Sequence, residues 1–207
     1  TTGWSGVAVG GCALFSNTTG NHNTAIGYQA LKTNQTGNYH TAVGFQALQL
    51  TTTGTYNHGI GVYALTKNTT GGFNTGSGMY NLYNNTTGSY NTASGYGALK
   101  ANTTASYNTA VGHKAMNLNT TGAYNAAFGY TALDANTTGE RNNAVGYGAL
   151  GGNTTASYNT AMGHSALYAS TTGAHNTASG YRALHTSSTA SCNTAIGACA
   201  LHANTTG

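Results

Sequence analysis

The chain has 207 residues, 31 of them Gly and none Pro, and a formal net charge of +4 from six Lys or Arg against two acids. Charged residues make up only 4% of it, where an average soluble protein carries about 25%. This excludes an ordinary globular domain. Lys32, Lys67, Lys100, Lys114, Arg141 and Arg182 are scattered along the whole length, which leaves no basic stripe for a nucleic-acid groove. The 15 Tyr and abundant Thr argue against disorder, which goes with high net charge and few aromatic or β-branched residues. No apolar run approaches the roughly 18 residues of a membrane span, and nothing reads as a signal peptide. No membrane insertion is expected of this segment.

A composition this biased points to a repeat. From Thr1, the chain returns every 17 residues to T-T-G-x-Y-N-T-A-x-G-Y-x-A-L-x-x-N. Twelve units fit without insertion or deletion, and Thr205, Thr206 and Gly207 begin a thirteenth. Loops tolerate length changes cheaply, so an invariant period means that each unit stacks on the next in register. The expectation is one uninterrupted solenoid over residues 1–207. No atypical terminal repeat covers its ends, so it reads as an excerpt of a longer array.

Within the unit, numbered 1–17 from Thr1, the elements follow in order. Positions 1–3, after the Asn at position 17, carry turn chemistry: Asn tolerates left-handed φ and Gly accepts it freely. Position 2 is Thr in every unit. Position 5 carries Tyr39, Tyr56, Phe73, Tyr90, Tyr107, Tyr124 and Tyr158, a candidate contact column whose tyrosines also suit packing along a sheet. Positions 6–11, N-T-A-x-G-Y, read as a strand. Position 10 is Gly throughout: Gly10, Gly27, Gly44, Gly61, Gly78, Gly95, Gly112, Gly129, Gly146, Gly163, Gly180 and Gly197. Positions 11–14, Y-x-A-L, read as a corner or one helical turn. Position 14 is Leu14, Leu31, Leu48, Leu65, Leu82, Leu99, Leu133, Leu150, Leu167, Leu184 and Leu201, with Met116 the one substitute. The Gly and Leu sets are the expected structural ladders.

Together these elements predict an all-β parallel β-solenoid, a β-roll with one 17-residue repeat per coil. Coils about 4.8 Å apart make a rod of roughly 55–60 Å. Asn at positions 6 and 17 would stack and hydrogen-bond along the axis. Alternation puts Ala25 and Gly27 on one strand face and Thr24, Ile26 and Tyr28 on the other, and either face could point inward. With Ala inside, an apolar stripe at position 9 runs down the outside and needs a partner. With position 9 inside, a smooth Ala/Gly stripe faces out and suits close approach by a neighbour. Both predict lateral association, with three chains about one axis favoured.

The units NTAIGYQAL (23–31), NTAVGHKAM (108–116), NTAMGHSAL (159–167) and NTAIGACAL (193–201) resemble head repeats of trimeric autotransporter adhesins. They are also similar to NTAxGxxAL arrays of bacterial and phage-like tail-fibre surface proteins. The resemblance spans essentially the whole chain. It implies a left-handed β-roll, a homotrimer, and exposure on a cell or particle surface. The family's head repeat is shorter, and the TTG-containing turn makes the difference here.

Chemistry-bearing residues carry weaker signals. His22, His40, His58, His113, His164, His175, His185 and His202 occupy five different repeat positions and read as polar surface substitutions, not convergent metal ligands. Asp134, the one Asp, reads as an exposed corner residue, so no carboxylate pair or Ser-His-Asp set is expected. Cys12 and Cys199 lie eleven coils apart, roughly 50 Å, too far to pair. Cys192 and Cys199 share a coil and are expected to stay free. The N-T-T sequons at Asn17, Asn68, Asn85, Asn102, Asn119, Asn136, Asn153 and Asn204 are what a recurring turn generates anyway.

The functional expectation is a structural or adhesive extracellular fibre with no enzymatic activity and no cofactor. Its partners would be copies of itself, also end to end as a filament, and a host, cell-surface or glycan receptor. The alternatives are an ice-binding solenoid using the Thr columns and a carbohydrate-binding rod using the Tyr columns. Flat ice-binding faces need two outward Thr columns, whereas adjacent residues of an extended strand face opposite ways.

Overall fold

The computed structural model describes residues 6–205, so Thr2 of the position-2 column and the thirteenth-unit residues Thr206 and Gly207 lie outside it. Twelve three-residue strands, from Val7–Val9 (β1) to Thr194–Ile196 (β12), form one parallel sheet in chain order. Every pairing joins residues 17 apart, as in Thr24↔Thr41, Ala25↔Ala42 and Ile26↔Val43. The protein is a β-solenoid, and among the described residues it contains no helix.

The strand is shorter than the expected N-T-A-x-G-Y: only positions 7–9 qualify, and positions 11–16 are turn. The reason is the backbone at position 10. Every Gly there has φ between +119° and +142°, a conformation that side chains disfavour. From Gly10 to Gly180 each also lies against the glycine one coil on. A Cβ on Gly112 would sit 2.7 Å from the carbonyl carbon of Gly129. Beyond the strand the inter-coil ladder continues without extended geometry: Leu31 N–H donates to Ala47 O (3.0 Å) and Gln46 N–H to Tyr28 O (2.9 Å).

Three further corners close the coil, and they are unusual. Positions 5, 12 and 14 hold left-handed φ in coil after coil, as at Tyr107 (+62°), Lys114 (+55°) and Leu133 (+54°). Left-handed φ costs a non-Gly residue about 1–2 kcal/mol. At position 14 the side chain outweighs that cost. Leu31 through Leu184 are fully buried, and truncating such a Leu typically costs about 2–5 kcal/mol.

Burial decides which strand face points inward. Position 8 (Ala25, Ala42, Ala110 and their equivalents) is buried with the Ala of position 13 and the Leu column. Position 9 therefore faces out. The interior is one continuous stack of small and medium side chains, lined on its polar side by asparagines. Coil five departs from the pattern. Asn81 replaces Ala at position 13, and Gly76 replaces Ala at position 8, where a Cβ would overlap the Asn81 amide oxygen.

Candidate functional surfaces

Two asparagine ladders bind coil to coil. At position 17, Asn85 Nδ2 donates to Asn68 Oδ1 (2.8 Å) and to Gly88 O (2.9 Å), and the same pattern recurs to Asn153. At position 6, Asn108 Oδ1 accepts from Asn125 N–H (2.9 Å) and its Nδ2 donates to Gly122 O (2.9 Å). The sequon asparagines Asn68 through Asn153 are fully buried with their amide nitrogens engaged, so the folded rod offers no sugar acceptor there.

His40 corrects the reading of histidines as surface residues. It occupies position 6 and is 1% exposed. Its Nε2 lies 2.8 Å from Gly54 O, and its Nδ1 accepts from Asn57 N–H at 3.2 Å. The imidazole thus reproduces both bonds of the asparagine it replaces, as the neutral Nε2–H tautomer. Burial pushes its pKa down to about 4. Asp134 is also corrected: it is half-buried with Oδ1 unpartnered, and desolvation raises its pKa against the opposing charges of Lys114 and His113.

The aromatic residues form two columns. At position 5, centroids from His22 through Tyr39, Tyr56, Phe73, Tyr90 and Tyr107 to Tyr124 are 4.7–5.0 Å apart. Arg141 continues the stack, 5.4 Å from the ring centroids of both Tyr124 and Tyr158. The second column runs from Tyr28 to Tyr181, mostly at position 11. In coils four and five, where Val62 and Met79 hold position 11, Tyr63 and Tyr80 at position 12 carry it on. The sequence carries this shift only as Tyr at position 12 beside Val62 and Met79, which a column traced along position 11 (Tyr28, Phe45, Tyr96, Tyr130, Tyr147, Tyr181) does not reach. Except at the edge contacts Phe45–Tyr63 and Tyr80–Tyr96, ring faces are covered by the rings above and below, so the column presents mainly edges and hydroxyls.

The outward stripe at position 9 lies beside this second column. Ile26, Ile60, Val111, Phe128, Val145 and Met162 are all exposed. Elsewhere, the position-2 threonines from Thr19 to Thr189 are exposed, and their hydroxyls make no hydrogen bond to the chain. Position 1 differs: Thr103 Oγ1 donates to Thr120 O at 3.1 Å. Among the described residues there is no concave cavity and no cluster of potential metal ligands. Cys12, Cys192 and Cys199 carry free, exposed thiols.

These features define a parallel β-solenoid with striped sides. No family model, no curated protein and no solved structure matches the chain.

Proposed function

We propose that the chain is a structural element of an extracellular or surface fibre, a rod that associates sideways with copies of itself, three about one axis. One observation carries this reading: the apolar stripe at position 9, outward on a regular in-register sheet. An apolar residue holds position 9 in nine of the twelve coils, with Ser77, Ser94 and Ser179 in the others, and an exposed apolar row of this kind marks an interaction site. A second copy has the same coil spacing, so contact made at one coil repeats at every other. Weak contacts then add through effective concentration, which also suits adhesion to a repetitive receptor. The motif's likeness to adhesin head repeats agrees with the trimer and with surface exposure.

Sedimentation equilibrium tests it. The native chain should sediment as a trimer, and Val111→Glu with Val145→Glu, both exposed, should give folded monomers. A native chain that stays monomeric at every concentration overturns the proposal.

The exposed Thr column at position 2 supports ice binding as a second reading, in which methyl and hydroxyl groups at constant pitch order water. The position-1 hydroxyls are turned into the ladder, but the strand threonines of position 7 (Thr24, Thr41, Thr75, Thr92, Thr109, Thr160, Thr177 and Thr194) form a second outward row, interrupted at Val7, His58, Ala126 and Asn143. Absence of thermal hysteresis in concentrated solution would remove this reading. Sugar stacking on the Tyr columns is disfavoured, since neighbouring rings already cover most of the faces.

A further inference from the structure

The departures that reach the core, at positions 8 and 13, all fall in coils four and five, and a break in the position-17 ladder adjoins them in coil three; the three coils span residues 35–85. That ladder breaks again at Ser170 and Ser187, leaving Asn153 Oδ1 and Ser187 Oγ buried without partners, but the core pair there is intact. At position 17, Thr51 interrupts the asparagine ladder, leaving its own Oγ1 and the Asn34 Oδ1 buried without partners. At position 8, Gly59 and Gly76 withhold the core methyl in two consecutive coils. At position 13, Asn81 is fully buried and its Oδ1 has no partner, while its Nδ2 donates to Gly78 O. The second aromatic column changes from face to edge contact on both sides of the same coils: Phe45–Tyr63 at 83° and Tyr80–Tyr96 at 83°. Coils six and seven show none of these faults, and the Asn85–Asn102–Asn119 ladder passes through them unbroken.

We infer that coils three to five are a built-in yield segment, the part of the rod that opens first while the coils beyond it stay folded. In a solenoid each coil contacts only its neighbours, so stability is a sum of local terms. Unsatisfied buried groups recur in other coils, whereas the core contacts are missing only here, and a segment that combines the two opens before the rest. Opening releases length. Three coils occupy about 14 Å of rod, whereas their 51 residues pulled straight span about 170 Å. A fibre under load would lengthen there before it broke. This mechanical role rests on the fibre reading; the location of the weak segment does not.

Hydrogen exchange read by mass spectrometry on the full chain tests it. Coils five and eight are equally far from the two ends of the twelve-strand sheet, so end fraying cancels between them. The position-14 amide of Leu82, bonded to Ala98 O, should exchange roughly tenfold or more faster than that of Leu133, bonded to Ala149 O. The double variant Gly76→Ala with Asn81→Ala restores the common core pair and should remove most of that difference. Gly76→Ala alone, which forces a methyl against Asn81, should widen it or unfold coil five. Equal exchange at the two leucines in the native chain, or a difference unchanged by the double variant, overturns the inference. Sedimentation of the same samples separates the two proposals: a monomeric chain that keeps the exchange difference overturns the fibre reading and leaves the yield segment standing.

Discussion

His40 makes the stability of one coil depend on pH, and the size of the effect follows from its contacts. Nδ1 must keep its lone pair to accept from Asn57 N–H while Nε2–H donates to Gly54 O. Protonation destroys the acceptor and places a charge where the side chain is 1% exposed. The folded imidazole titrates at about 4, against roughly 6.5 in an unfolded chain. The unfolded state therefore binds a proton first as pH falls. Stability is fully present above about pH 6.5, declines below it, and has lost the whole contribution once pH passes below about 4. A gap of roughly 2.5 pKa units at about 1.36 kcal/mol each makes this about 3 kcal/mol. His40→Asn should keep both hydrogen bonds, as Asn does at position 6 of the neighbouring coils, and remove this titration. The assay is urea denaturation followed by circular dichroism from about pH 7 to about pH 4. The other histidines are common to both proteins and cancel in the comparison. Native protein should lose about 3 kcal/mol more than His40→Asn over that range. Equal losses would refute the assignment of a neutral, doubly bonded imidazole.

Three other substitutions probe the backbone and the ladders. Asn108→Ala strands Asn125 N–H and removes one of the two bonds to Gly122 O, which keeps Asn119 Nδ2, and should cost about 2 kcal/mol in denaturant unfolding, with the loss localised by hydrogen exchange to the adjoining coils. Gly112→Ala combines φ of +135° with a Cβ 2.7 Å from the Gly129 carbonyl carbon and should destabilise by about 3 kcal/mol or more, visible as a lowered melting temperature. Thr131→Gly should act the other way. Thr131 is β-branched at φ +50°, and Gly97 and Gly148 already occupy position 12 at +65° and +60°, so relieving the strain should raise stability by about 1 kcal/mol.

Much of the fold was legible because stacking makes the period visible. Seventeen-residue spacing without indels predicted the register of Thr24 on Thr41, and invariant Gly at position 10 marked a structural ladder. Both asparagine ladders followed from their recurrence. The corners were not legible. Leu, Tyr and Lys are poor left-handed residues, so nothing local marked positions 5, 12 and 14 as left-handed. His40 was misread for the same kind of reason. Residue type alone placed it on the surface, whereas its imidazole nitrogens span the two partners of an asparagine amide.

The sequence by itself determined the repeat, the in-register stacking and the columns of like residues, because a one-dimensional period carries over directly into vertical neighbours. Which side of each column faces the core was left to the tertiary structure. A three-residue strand alternates its faces with equal ease either way. The choice fell to the closure of the whole coil, in which the Leu of position 14 and the Ala of position 13 must meet the Ala of position 8 across one narrow interior. That closure turns position 9 outward.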